Sequence, residues 1–271
     1  MGVPGSKAER ISFATSKEHF EEVFKLAYKE YLRKGYCSPN PCERRIPIYN
    51  ALPETVTFCL WRGENLAGTA SLILDSPIGL PMEKVYPDEI QVLRTQGRKM
   101  CEVSLLALNS ALIKEGVFAI YFAERLRCLY QLFKPLFWYA KATIGYTDLC
   151  IACNPKHKAL YTSLHFQQFG AEKVYESVNA NPSIAMRLDF DQAEERVKMT
   201  PGLHKLFFGT KLQLKHVSEN FRWSKENFIS FFCEKSDVIK SASPKEIDYL
   251  TKCYPDFKID ELRMQYNPSA G

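Results

Sequence analysis

Two periodicities alternate along this chain. Phe20, Val23, Phe24, Ala27, Tyr31 and Leu32 recur every three or four residues, which places them on one face of a helix running to Gly35. Thr15 and Glu18, three apart just before it, have capping-box spacing. Short apolar or β-branched runs bounded by turn residues read as strands: Ile11 to Ala14, Thr55 to Trp61, Leu66 to Leu74, Lys99 to Leu108, Thr147 to Cys153, Phe169 to Tyr175 and Ile184 to Leu188. Arg62-Gly63-Glu64-Asn65 turns the second into the third as a hairpin. Pro87 to Thr95 and Lys156 to Leu164 read as short helices. Gly116 to Thr143 reads as a longer, aromatic-rich helix that Pro135 should kink or divide. This order predicts an α/β (α+β) fold, a mixed central sheet flanked by helices.

After Asp189 the chain turns polar and lysine-rich, with amphipathic pieces around Ala193 to Lys198, Lys225 to Cys233 and Pro244 to Cys253. The expected organisation is a core over residues 1–190 and a helical C-terminal extension over 191–271, packed on the core and ending in a loose Asn267–Gly271 tail. The loop from Tyr36 to Pro53 carries Arg44, Arg45 and Tyr49, and loops of that length are often functional.

One strand breaks the apolar pattern. Lys99-Met100-Cys101-Glu102-Val103-Ser104-Leu105-Leu106-Ala107-Leu108 sets a carboxylate and a hydroxyl two residues apart. On a strand both then face one way, while Val103 and Leu105 face the other. A carboxylate among apolar neighbours is costly unless it is paired or used.

The 271 residues are 46% hydrophobic and 25% charged, values of a globular protein. No apolar run approaches the roughly 18 residues of a membrane helix, and Met1-Gly2-Val3-Pro4-Gly5-Ser6-Lys7 has no signal-peptide core. The expectation is a soluble cytoplasmic protein without membrane insertion. A net charge of +5 lacks the dense patch of a nucleic-acid binder and suits an acidic partner or anionic ligand. The nine cysteines are scattered. Cys150 and Cys153 stand inside an apolar run, with no second pair at zinc-ligand spacing, so they read as small buried hydrophobes in a reducing compartment. No metal site is expected.

With the strand order in hand, the chain resembles the GNAT acyltransferase fold. Asn154-Pro155-Lys156-His157, then Tyr161 and His165-Phe166, is similar to the segment where such folds place an Asn after the fifth strand and a Tyr on the next helix; a Gly usually stands at the place of His165. More narrowly, segments between about residues 30 and 190 resemble the FeeM-type long-chain N-acyl amino acid synthases, relatives of the acyl-homoserine lactone synthases. These are Leu74-Asp75-Ser76-Pro77 with Gly79-Leu80-Pro81-Met82, Gly97-Arg98 with Glu102-Val103-Ser104, Thr147-Asp148-Leu149, Asn154-Pro155-Lys156-His157, and Ser177-Val178-Asn179 with Pro182. The resemblance implies transfer of a fatty acyl group from acyl carrier protein to the amine of an amino acid, tyrosine in the founding example. The lactone synthases carry an arginine after the serine of this strand. Here Leu105 stands there, which argues against an S-adenosylmethionine substrate.

Aminolysis of a thioester needs a base for the amine, donors for the oxyanion and a proton for the departing thiolate. Glu102 is the candidate base, its pKa raised by burial, unless it is a structural partner of Arg98. Ser104 would bind substrate or orient Glu102, and with no adjacent His it is not a nucleophile. Tyr161, by the GNAT resemblance, would protonate the thiolate. The oxyanion amide is expected beyond Ala107. Arg98, Asp75 and Asn179 are candidate substrate-binding residues. Lys99, Lys156, His157 and Lys158 are candidates to meet the phosphopantetheine and acidic surface of the carrier. The stretch Leu108 to Gly116 lacks the glycine pair that cradles the pyrophosphate of coenzyme A in GNAT enzymes. That favours an acyl-phosphopantetheine donor with no bound cofactor, and the aromatic helix would border the acyl tunnel. The rivals are an acyl-CoA N-acyltransferase, a lactone synthase, and a non-catalytic acyl- or carrier-binding protein.

Overall fold

A computed structural model describes residues 9–113, 118–198 and 221–266. Its centre is a sheet of strands β1 (Glu9–Phe13), β2 (Val56–Arg62), β3 (Asn65–Leu74), β4 (Met100–Leu108), β5 (Asp148–Cys153), β6 (Gln167–Tyr175) and β7 (Asn181–Asp189). The order is β1-β2-β3-β4-β5-β7-β6. Every pairing is antiparallel except β4 with β5. That parallel step needs a crossover, supplied by helix α3 (Phe118–Trp138).

One face of the sheet is covered by α3, whose Leu129, Leu132, Phe133 and Leu136 pack on Val103, Leu108 and Ile151. The close approach is read at Gly68 of β3, where a Cβ would stand 2.9 Å from Leu108 Cδ2 and 3.1 Å from Leu132 Cδ1. The other face carries α1 (Lys17–Arg33) and α2 (Pro87–Thr95). The N-cap of α1 is Ser16, whose hydroxyl accepts from the His19 amide, rather than Thr15. The capping pair read from the sequence is therefore one residue out of phase.

Helix α3 continues through Pro135 to Trp138 and ends in a π-helical turn over Tyr139–Thr143. The proline neither divides nor ends it. Leu132, Phe133, Leu136 and Phe137 are all buried around that point, and this packing outweighs the one hydrogen bond that proline removes. Helices α4 (Lys158–Ser163) and α5 (Phe190–Lys198) complete the part up to residue 198.

The C-terminal residues add α6 (Lys225–Ile229), a π turn (Ser230–Glu234), α7 (Val238–Ser241), α8 (Pro244–Cys253) and α9 (Ile259–Tyr266). They share one apolar core with α1: the Trp223 ring lies 4.5 Å from that of Phe20, tilted by 47°, and Phe231 stands 5.5 Å from Phe24. The expected Asn267–Gly271 tail lies outside the described residues. All nine cysteines are free, and Cys150 and Cys153 are buried.

Candidate active site

Strands β4 and β5 pair only at Met100 with Asp148, Cys101 with Leu149 and Glu102 with Cys150. From Val103 on they part, which is earlier than the opening expected beyond Ala107. Lys99 O accepts from the Thr147 and Asp148 amides, so strand alternation points the backbone groups of Cys101, Val103 and Leu105 toward β5. Leu105 therefore offers its amide to the cleft. It also has φ 48°, and pairing with β3 shifts register between Ser71–Ser104 and Thr69–Ala107. This bulge moves Leu105 onto the face of α1, opposite Val103. The expectation that Val103 and Leu105 share a face fails for that reason.

Two cavities meet at this parting and share Tyr31, Val103, Ala152, Tyr175 and Val178. The first is apolar within, lined by Leu106, Leu108, Leu129, Ile151, Leu160 and Tyr161, and it carries Lys34, Arg125 and His157. Lys156 stands 5.1 Å over the Tyr36 ring, and His157 Nε2 is 3.5 Å from Tyr36 Oη. Burial, then Lys34, Lys156 and Arg125, push the His157 pKa down to about 4, so His157 is neutral at pH 7. Burial, then Arg125, lower Lys34 to about 8. The second cavity is more polar. Glu102 and Ser104 line it with Arg45, Tyr49, Lys84 and, from the C-terminal helices, Val238, Ser241, Ala242 and Glu246.

Glu102 is 3% exposed and accepts the Met82 amide at 2.8 Å through Oε2. Burial raises its pKa to about 8, against the lowering effect of that amide and with help from the Glu83 charge. It has no cationic partner among the described residues. Arg98 is not its counter-ion: the guanidinium binds Asp148, Asp189 at 2.7 Å and the Thr147 carbonyl. Arg98 and exposed Lys99 lie at the start of β4, outside both cavities. The six residues of β5 put the Lys156 end of the cleft roughly 17–20 Å from them, so Lys99 and Lys156 do not form one patch.

Asp75 is likewise engaged elsewhere, in a two-pronged bond from Arg94 at 2.7 and 2.9 Å. Arg94 also grips Glu83, whose Oε1 accepts the Leu80 amide. Together they brace the 75–83 loop that delivers the Met82 amide to Glu102. Asn179 sits in a left-handed turn, φ 56°, accepting from Ser38 Oγ at 3.2 Å, while its neighbours Ser177 and Val178 line the second cavity. Tyr161 lies in the first cavity against Phe133 and Phe166, and burial holds its phenol protonated. Lys158 lines neither cavity. Of α3, it is Arg125 and Leu129 that border the first cavity, while Phe133 and Phe137 are core. The side chains of Phe118, Tyr121 and Phe122 lie outside the described residues.

Sequence reasoning did not select Tyr31, Lys34, Arg125, Tyr175 or Glu246. Arg45 and Tyr49 were visible only as polar residues of a long loop. The Ser243–Glu246 spacing is a capping box, the sole sequence mark that Glu246 carries.

The family model for the N-acyl amino acid synthase FeeM matches residues 22–189. The chain belongs to this family. Among solved structures, FeeM from uncultured soil microbes is 29% identical, covers 69% of this chain and 93% of its own, and superposes with a TM-score of 0.58. The AHL synthase LasI, at 16% identity, covers 76% of this chain and 98% of its own with a TM-score of 0.53. No curated protein matches the chain. The fold is thus the GNAT-like acyltransferase fold of the FeeM synthases, and Glu102, Ser104, Arg45, Tyr161 and the whole lining of the first cavity fall within the matched segment. Glu246 lies beyond it. Among the described residues, no helix is long and apolar enough to cross a membrane and no group of three or more His, Cys, Asp or Glu could hold a metal ion.

Proposed function

We propose that this N-acyltransferase moves a long-chain fatty acyl group from acyl carrier protein to the amine of an amino acid, tyrosine being the first to test. The observation that carries this reading is the meeting of two unlike cavities at the β4–β5 parting, one apolar with cations around it, the other holding a carboxylate of raised pKa. The acyl-phosphopantetheine enters the first, its phosphate met by Lys34, Arg125 and Lys156. The amino acid enters the second, its carboxylate toward Arg45 and its ammonium toward Glu102.

Glu102 takes the proton, directly or through a water, and the amine attacks the thioester carbon at Val103. The Leu105 amide holds the oxyanion, Ser104 steadies the acceptor, and the Tyr161 hydroxyl donates to the departing sulfur. Two features favour a carrier over free coenzyme A. The glycine pair is absent from the loop after β4, and the first amide that could meet a phosphate there, Ser110, already donates to Glu30 at 2.9 Å. Residues 1–190 carry the chemistry and 191–271 form the extension, acting in the cytoplasm.

Purified protein given tyrosine with palmitoyl-carrier protein or palmitoyl-CoA tests this. The expected outcome is N-palmitoyl tyrosine from the carrier thioester and at least about tenfold less from the CoA ester. Absence of any N-acyl amino acid across all proteinogenic acceptors and lauroyl or palmitoyl carriers would falsify the reading.

A further inference from the structure

The second cavity is not finished by the segment that matches the FeeM model. Its outer wall is Val238, Ser241, Ala242 and Glu246 of α7 and α8, and the family match ends at residue 189. This wall is fixed to the core at the turn that carries Tyr49. Trp223 Nε1 donates to the Asn50 carbonyl at 2.9 Å and Tyr254 Oη to the Ala51 carbonyl at 2.9 Å. Asn50 in turn donates to Thr57 and Ser71 inside the sheet. The extension therefore holds a set position against the cavity.

Within that wall Glu246 stands apart in chemistry. Its Oε2 accepts from the Ser243 amide at 2.7 Å and the Ser243 hydroxyl at 2.8 Å, a capping box that fixes the side chain. Oε1 accepts no hydrogen bond among the described residues, and Glu246 has no cationic partner among them. Tyr49 lines the same cavity, where burial first, and then the charges of Glu102 and Glu246, push its phenol pKa up. Arg45 has no carboxylate partner among the described residues either; its Nη2 donates to the Ser177 carbonyl and its guanidinium lies 4.6 Å over the Tyr31 ring.

We propose that the C-terminal extension selects the acceptor, with Glu246 accepting a hydrogen bond from the end of the amino acid's side chain, so that acceptors ending in a hydroxyl or ammonium are preferred over apolar isosteres. This rests on the acyl-transfer reading above. It differs from that reading in assigning the choice of side chain to residues outside the matched family segment. Glu246 is half-buried in the empty cavity, so an apolar side chain would strip water from its free oxygen without offering a donor, and a carboxylate oxygen desolvated that way is penalised.

The test compares tyrosine with phenylalanine and lysine with norleucine, in full-length protein, by calorimetric binding without donor and by kcat/KM with acyl carrier protein. At least about a tenfold preference for one donor-bearing member is expected, as a hydrogen bond to a charged group provides. The tyrosine and lysine arms tell a hydroxyl from an ammonium. Glu246→Gln keeps an oxygen for Ser243 and so keeps the cap, but turns an NH2 toward the cavity. It should erase a preference for an ammonium and weaken one for a hydroxyl, whose oxygen can still accept from that NH2, while leaving phenylalanine or norleucine turnover within about threefold. Glu246→Ala should erase either preference, with a small loss of stability from the weakened cap. A preference that survives both substitutions, or no preference in the parent protein, overturns the inference. Glu246-dependent binding without acyl transfer would sustain it and sink the transfer reading; acyl transfer with indifference to Glu246 would do the reverse.

Discussion

Replacing Glu102 by Gln should cost activity and add stability, in amounts set by the same burial. The carboxyl of Glu102 has its pKa raised from 4.5 to about 8, so at pH 7 only about a tenth of it is ionised. The folded protein thus holds a proton that the unfolded chain releases. Stability from this group is greatest below pH 4.5, falls as pH rises toward 8, and is flat above that. Between 4.5 and 7 the loss amounts to roughly 3 kcal/mol, at about 1.4 kcal/mol per pH unit. Gln cannot ionise, yet its amide oxygen can still accept the Met82 amide. The Glu102→Gln protein should therefore be more stable than the parent at pH 7 by roughly 3 kcal/mol and equal to it near pH 4. Its acyl-transfer rate should fall by about 10²–10⁴-fold, the usual contribution of a general base, and the parent's kcat/KM should rise with pH to a plateau above about 8. Urea melts at pH 4, 7 and 8, with mass-spectrometric quantification of N-acyl tyrosine, measure both halves. A Gln variant within about threefold of the parent rate, or a stability difference that does not change with pH, would refute the reasoning.

Other substitutions probe the frame around this group. Arg98→Met removes the main partner of fully buried Asp148, and chemical denaturation should show a loss of about 3 kcal/mol with acceptor and donor KM unchanged. Trp223→Ala empties a site 3% exposed and frees the Asn50 carbonyl; a loss of about 3–5 kcal/mol should come with a raised KM for the amino acid and an unaltered KM for the carrier thioester. His165 is held at φ 67° with a buried, unpartnered Nε2. His165→Gly should stabilise the fold by about 1 kcal/mol in thermal melts, without effect on turnover.

Much of this molecule is written in local patterns. The seven strands, the hairpin at Gly63 and the limits of α8 follow from alternation, turn residues and caps, which act over a few positions. Glu102 was found because a carboxylate in an apolar strand violates that pattern. What escaped depends on which distant groups meet. Arg98 and Asp75 read as candidate ligand contacts because an isolated cation or anion in sequence carries no sign of its partner; folding supplies Asp148 and Asp189 to one, and Arg94 to the other. Lys99 and Lys156 are both basic and both beside central strands, yet they sit at opposite ends of β5, a fact of strand direction rather than composition. The parallel pairing that sets that direction, and the parting after Glu102, leave no residue signature. His165 is the converse case. The glycine expected in its place marks a left-handed backbone, and φ 67° shows that the backbone kept the shape when the residue changed.

The bulge at Leu105 also acts as a phase-setter for the end of the strand. Ahead of it, odd-numbered residues face α3; beyond it, even-numbered ones do, so Leu106 and Leu108 line the acyl-side cavity and Ala107 faces α1. A single-residue insertion just after it, with the bulge kept, would shift that phase again and exchange those linings. Two leucines would then turn toward the amino-acid side and an alanine toward the acyl chain, making one cavity too small and the other too wide with no change in composition beyond one residue. The substrate preferences of the two halves of the site are thus tied to a reading frame within one strand, and insertions between Leu105 and Leu106 would move both at once where point substitutions move only one.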